Sequence, residues 1–192
     1  MLWDDFINSE WPDWKKGERS EDKLESDAWL QRFITEHSLL APPLLTDEEL
    51  KFLRQLRALM LHCVQRIVGG QSLSEEELTQ LNAWLSRGPV IRRLVPGTGK
   101  PFALSSSPVN PGWEGAAAEI AASFATALAE RDLSRFSICS NPNCRWVYYD
   151  STRNRSKRYC EDKTCGNLMK VRRFRAKHAS AASEKQGPAD KP

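Results

Sequence analysis

CSNPNCRWVYYDSTRNRSKRYCEDKTCGNLMKVRRFRAKH, Cys139 to His178, decides how the chain is organised. Four of the five cysteines fall in it, as two pairs with the same internal spacing, C-x4-C-x15-C-x4-C. Zinc takes four tetrahedral ligands, and a closed structural site commonly uses thiolates. Each x4 pair is short enough for a tight turn to present both sulfurs to one ion. The first turn, Ser140-Asn141-Pro142-Asn143, consists of turn formers. One structural Zn²⁺ held by Cys139, Cys144, Cys160 and Cys165 is the expectation; two disulfides, an iron–sulfur centre or metal-free thiols are the alternatives. The residues between the pairs suit a β-hairpin, with Arg145–Tyr149 outgoing, Asp150–Ser156 a polar loop and Lys157–Tyr159 returning. Thr164 or Asp162 can cap a helix that carries Cys165 in its first turn, where the helix N-terminus favours a thiolate. Knuckle, hairpin and helix in that order predict a treble-clef-like module whose metal supplies folding energy.

Basic residues run through the same stretch. Residues 136–178 hold 11 Lys/Arg against 3 Asp/Glu, whereas residues 1–50 hold 5 against 13, so a chain of formal charge +3 is acidic in front and basic behind. Four thiolates on one zinc ion subtract two charges and leave the module positive. On the last helix Leu168, Val171 and Phe174 form an apolar arc expected to dock, with Lys170, Arg173 and Lys177 on the far side. The candidate phosphate contacts are Arg153, Arg155, Lys157 and Arg158 on the loop with Lys170, Arg172, Arg173 and Lys177 on the helix. A basic helix can enter a duplex groove, which points to DNA. Trp146, Tyr148 and Tyr149 could instead stack on single-stranded bases, which keeps RNA open.

Working back from the finger, an alanine-rich helix from Glu114 to about Arg131 is expected, with Ile120, Phe124, Ala127 and Leu128 inward. Two capping boxes, Thr46-Asp-Glu-Glu49 and Ser74-Glu-Glu-Glu77, open two further helices. The first carries Leu53, Leu56, Met60, Cys63, Val64 and Ile67 on one face until Gly69-Gly70. Cys63 is read as core filler, and the seven tryptophans mostly as packing. Ile91–Val95 and Pro101–Leu104 read as a hairpin around Pro-Gly-Thr-Gly. Leu24, Ala28, Leu30, Phe33 and Ile34 predict one more helix, while residues 1–20 read as irregular. The expected fold is α+β, mainly α: a helical domain over 1–135 with a small β-hairpin, a zinc module over 136–178 and a disordered tail over 179–192.

Nothing resembles a signal peptide, and no apolar run is long enough to cross a membrane, so a cytoplasmic location with reduced thiols is expected. No phosphate-binding glycine loop, H-E-x-x-H or nucleophile elbow is present, and four thiolates leave zinc no open position, so an enzyme is not expected. Besides nucleic acid, the partners left open are a small-molecule or protein effector at the front domain and a second copy forming a homodimer.

The residues Cys139…Cys144-Arg-Trp-Val-Tyr-Tyr-Asp150…Asn154-Arg-Ser-Lys-Arg-Tyr-Cys160…Thr164-Cys165-Gly166-Asn167, with Lys170-Val-Arg-Arg-Phe-Arg behind them, resemble the CGNR-type zinc finger of bacterial proteins. Asp5-Phe-Ile-Asn8 and the helical body resemble the ABATE domain that precedes that finger. The resemblance implies a stress-response transcription regulator that binds DNA through the finger and senses an effector through the front domain. A zinc-stabilised protein-interaction module and a thiol redox switch are the competing readings. The family pattern has arginine after Cys-Gly-Asn; here Leu168 stands in its place.

Overall fold

A computed structural model describes residues 1–17, 20–109 and 111–184. The elements follow the order α1 (Leu2–Ile7), β1 (Glu10–Pro12), β2 (Ser20–Asp22), α2 (Asp27–His37), α3 (Asp47–Val68), α4 (Glu75–Leu85), β3 (Val90–Pro96), β4 (Phe102–Pro108), α5 (Trp113–Glu130), β5 (Phe136–Ile138), β6 (Val147–Tyr149) and α6 (Asn167–Glu184). The fold is mainly helical with three antiparallel strand pairs, β1–β2, β3–β4 and β5–β6.

Local chemistry sets the two central helices. Thr46 Oγ1 accepts from the Glu49 N–H at 3.2 Å while the Glu49 carboxylate accepts from the Thr46 N–H at 2.8 Å. Ser74 and Glu77 make the same reciprocal pair at the start of α4. Each box satisfies two N–H groups that a helix start leaves without partners. The face of α3 predicted to be apolar is fully buried at Leu53, Leu56, Met60, Cys63 and Val64. Burial pushes the Cys63 thiol up to about 11, with the negative charge of Glu77 adding to it, so this cysteine is inert packing. Alanines of α5 bring Ile120 and Phe124 close against α1 and α3 in one core with Trp3, Phe6 and Trp113.

The N-terminal residues are ordered where the sequence reads as irregular. Six residues form α1 because Trp3, Phe6 and Ile7 are buried on one side, with Trp3 against Phe124 at 5.7 Å and Phe136 at 5.2 Å. Tertiary burial here overrides the weak intrinsic preference of so short a helix. Behind it, β1 and β2 frame an ion-pair network. Arg57, buried on the otherwise apolar face of α3, donates to Asp22 at 2.7 and 2.8 Å and to Ser9 at 2.8 Å. Arg54 donates to the same carboxylate at 2.8 Å. Burial alone would raise the Asp22 carboxyl, but bonds from Arg57 and Arg54 outweigh it and bring it down to about 2.

The β3–β4 hairpin is longer than the sequence suggests, running to Pro108, and Leu94, Phe102 and Leu104 on it are exposed. At the C-terminus α6 continues through residues 179–184, six positions beyond the boundary expected for the disordered tail. The rest of that tail, 185–192, lies outside the described residues.

Candidate metal centre

The first cysteine pair sits at the turn of a hairpin rather than before one. Strands β5 and β6 pair in the register Phe136↔Tyr149, Ser137↔Tyr148 and Ile138↔Val147, and the knuckle Cys139–Cys144 is their connection. Inside it the Cys144 N–H donates to the Asn141 carbonyl at 2.9 Å, and the Cys139 N–H to the Trp146 carbonyl at 2.8 Å. Arg145, just past the second cysteine, takes a left-handed φ of 56° that turns the chain into β6. The expected return strand does not form: among the described residues, Lys157–Tyr159 is irregular. It is held by the Ser140 N–H on the Arg158 carbonyl at 2.8 Å and by the Tyr148 hydroxyl on the Lys157 carbonyl at 2.6 Å. The edge that such a strand would need is taken by β5, which lies upstream of the cysteines.

The second pair also differs in detail from expectation. Residues Asp162–Gly166 make a wide helical turn in which the Gly166 N–H reaches back to the Glu161 carbonyl at 3.0 Å. Glu161 holds the capping position, taken by neither Thr164 nor Asp162, and no side chain caps it. The widened turn places Cys165 one residue before its end and two before α6 begins. At Gly166 a Cβ would meet Asp162 Oδ1 at 3.1 Å, so a larger residue there would need that side chain to shift by a few tenths of an ångström.

All four sulfurs lie within 4.8 Å of one another, and Cys144 Sγ is 3.7 Å from Cys160 Sγ. That separation is far too long for a disulfide, and the edge of a ZnS₄ tetrahedron with 2.3 Å bonds is about 3.8 Å. Cys139, Cys144 and Cys165 are buried, and Cys160 is half-buried. Charge argues in the same direction. Hydrogen bonds from Cys144 and then Cys160 bring the Cys139 thiol down to about 2, while the bond to Cys139 pushes Cys144 up to about 12 and Cys160 up as well. Lowering one thiol this way raises its neighbours Cys144 and Cys160, so bringing all the sulfurs to thiolates needs a dication in the middle. The donor set therefore fits one structural zinc ion, which Cys139, Cys144, Cys160 and Cys165 would hold.

Asn141 is the residue that sequence reasoning undervalues, taking it as a turn former. Its side-chain amide donates to Cys165 Sγ at 3.3 Å and to the Trp14 carbonyl at 2.9 Å, so it orients a ligand and ties the knuckle to the N-terminal segment. Its position between two ligands in a tight turn is the signal that could have found it.

Around this centre six of the eight candidate phosphate contacts, Arg153, Arg155, Arg158, Lys170, Arg173 and Lys177, are exposed, and Lys157 and Arg172 are half-buried. Arg155 pairs with Asp132 at 2.8 Å and Ser134 at 2.7 Å, Lys157 lies over the Tyr148 ring at 4.9 Å, Arg172 donates to the Lys15 carbonyl at 2.6 Å, and Arg173 donates to the Met169 carbonyl of its own helix at 3.3 Å. The three aromatics considered for base stacking are packed. Tyr148 is buried, Trp146 meets Trp11 at 5.7 Å and Tyr149 meets Phe136 at 5.6 Å. The apolar arc of α6 docks only at its start. Met169 packs on the module, Leu168 is half-buried, and Val171 and Phe174 are exposed. The small core ends there.

A mainly helical body followed by a four-cysteine knuckle-and-helix module defines a zinc-finger protein of two parts. Comparison with known families agrees on both. Residues 135–178 match the CGNR zinc finger, and residues 2–131, more than half of the chain, match the ABATE family, described as "Putative stress-induced transcription regulator". The chain belongs to the ABATE family and carries a CGNR zinc finger. No curated protein matches it. No helix among the described residues is long and apolar enough to cross a membrane.

Proposed function

We propose that this protein binds duplex DNA through the finger, in a regulatory role, with the helical body as the sensing or partner domain. The observation that supports it most is a set of exposed cations, Arg153 and Arg158 on the loop with Lys170, Arg173 and Lys177 on a helix that extends past the module. Zinc supplies no chemistry at a substrate; it fixes the loop and the helix start relative to one another. Packing of the aromatics at 146, 148 and 149 favours a duplex over a single strand, because stacking on unpaired bases needs an open ring face.

The test is titration of labelled duplex with zinc-loaded protein at several salt concentrations. If all five cations meet phosphates, log affinity falls with log salt at a slope of about −4.5. Lys170→Ala with Arg173→Ala reduces the slope by about 1.8. Absent or salt-insensitive binding would sink the proposal. Capture of an acidic protein that survives nuclease treatment would favour an interaction module instead.

A redox role draws on one further observation, the half-buried Cys160 beside three buried partners. Peroxide can reach it, take two electrons from a thiolate pair to form a disulfide and water, and release the ion. Zinc release under mild peroxide, reversed by a thiol, measures this.

A further inference from the structure

Two cavities flank the central helix α3. The larger, about 870 Å³, lies at the seam with the knuckle; of its charged groups Asp22 bonds Arg54 and Arg57, Glu25 pairs with Arg54 and Glu10 lies 3.8 Å from Arg57, with Arg145 lining it as well. The other, about 680 Å³, is a partly open groove between the end of α3, one face of α4 and the end of α5. Its walls include Ile67, Leu73, Leu78, Leu85 and Leu128, its polar lining is confined to Gln71, Ser72, Asn82 and Ser134, and no charged residue lines it. In a chain that is 28% charged, that lining selects for an uncharged ligand, since a charge would enter without a counter-ion. Its size lies within the range of small-molecule sites.

One short turn borders this cavity on one side and the finger on the other. Leu133 and Ser134 line the cavity. Ser134 Oγ accepts from Arg155 of the finger loop at 2.7 Å, and Asp132 pairs with the same guanidinium at 2.8 Å. Arg135 donates to the carbonyls of Asp150 and Thr152, both at 2.9 Å. Asp132 in turn holds the turn together through the Ser134 N–H at 3.0 Å and hydroxyl at 2.6 Å. Leu133 is 43% exposed, so an apolar occupant gains by drawing it inward.

We propose that this cavity binds one small, uncharged, mainly apolar molecule, and that occupancy loosens the Asp132–Arg135 hold on the finger loop. This names the effector class and the route for the sensing domain of the preceding section, on which it rests only for its biological output. The Arg155 guanidinium, one of the engaged candidate phosphate contacts, is the group released.

The experiment titrates the zinc-loaded full chain with the neutral fluorophore N-phenyl-1-naphthylamine. Saturable single-site binding is expected, at least tenfold weaker in Leu78→Glu and in Leu133→Glu. Both side chains are largely exposed, 46% and 43%, and circular dichroism of the variants should match the parent. A sulfonated analogue of the probe should bind at least tenfold more weakly. Amide hydrogen exchange at Thr152–Ser156 should become several-fold faster with saturating probe, and Arg155→Ala should remove that dependence. Non-saturable binding, binding indifferent to both variants, equal affinity for the sulfonate, or exchange that stays constant or slows would overturn the proposal. So would a dimer that Leu78→Glu dissociates, which would make the cavity a self-interface. No nucleic acid enters these measurements, so their failure and a failure of duplex binding are told apart.

Discussion

The body and the finger reach order by different means. Among the described residues, the main core gathers twenty-two buried side chains, whereas the finger's own cluster has five, three of them cysteines. Apolar burial can hold the first; the second has too little surface to bury and relies on its metal. Yet the two are not separated by a linker. Phe136 and Val147, on the strands that carry the knuckle, belong to the main core. The Asn8 side chain acts as a missing strand there, donating to the Val147 carbonyl and accepting from its N–H, each at 2.8 Å. The body thus supplies the back of the finger, and the metal supplies its front.

Zinc removal should break this contrast hardest. A chelator, or Cys165→Ser, should forfeit on the order of 10 kcal/mol of apparent metal-linked stabilisation in the finger. Most helical far-UV signal should survive, while protease cuts appear between residues 150 and 165. Loss of all structure would mean that the body also depends on the metal. Phe124→Ala attacks the other side, and cavity formation should lower the stability of the body by about 4 kcal/mol in urea titration with zinc retained. Asn8→Ala strikes the joint. Leaving the buried Val147 groups unpaired should cost about 3 kcal/mol and raise the zinc dissociation rate. A change in stability without a change in zinc release would show that the joint serves the body alone.

Acid gives a smaller effect on the body. The Asp22 carboxyl lies at about 2 when folded against 3.8 as its ordinary value. Its contribution is therefore fully present above about pH 4 and is lost as pH falls through 2. After allowance for solvent screening it amounts to about 1–2 kcal/mol, and Asp22→Asn should flatten the stability curve in that window. Smallest should be Thr46→Ala, about 1 kcal/mol from the lost cap, with no effect on metal or finger.

Legibility in the sequence followed how local the cause was. Both capping boxes, the buried stripe of α3 and the four metal ligands are short-range patterns, and each appears where the sequence places it. What was not legible is long-range. Nothing near Trp3 announces that it will meet Phe136, so α1 looked irregular. The strand partner of Val147–Tyr149 lies upstream of the cysteines, out of reach of a pattern sought only between them. The engagement of Arg155 and Arg172 depends on residues 132 and 15, which no charge count near the finger includes.

The bonds that join the chain's beginning to its end also set a timetable. Asn8 waits for Val147, the Trp14 carbonyl for Asn141 and the Lys15 carbonyl for Arg172, across 139, 127 and 157 positions respectively. At a synthesis rate of about 5–20 residues per second, the first segment made stays without its partners for on the order of ten seconds. The last of these bonds, from Arg172 to the Lys15 carbonyl, closes only after the fourth cysteine has left the ribosome. Scarcity of zinc would then be felt at the opposite end of the polypeptide, as an N-terminal segment left open to proteases.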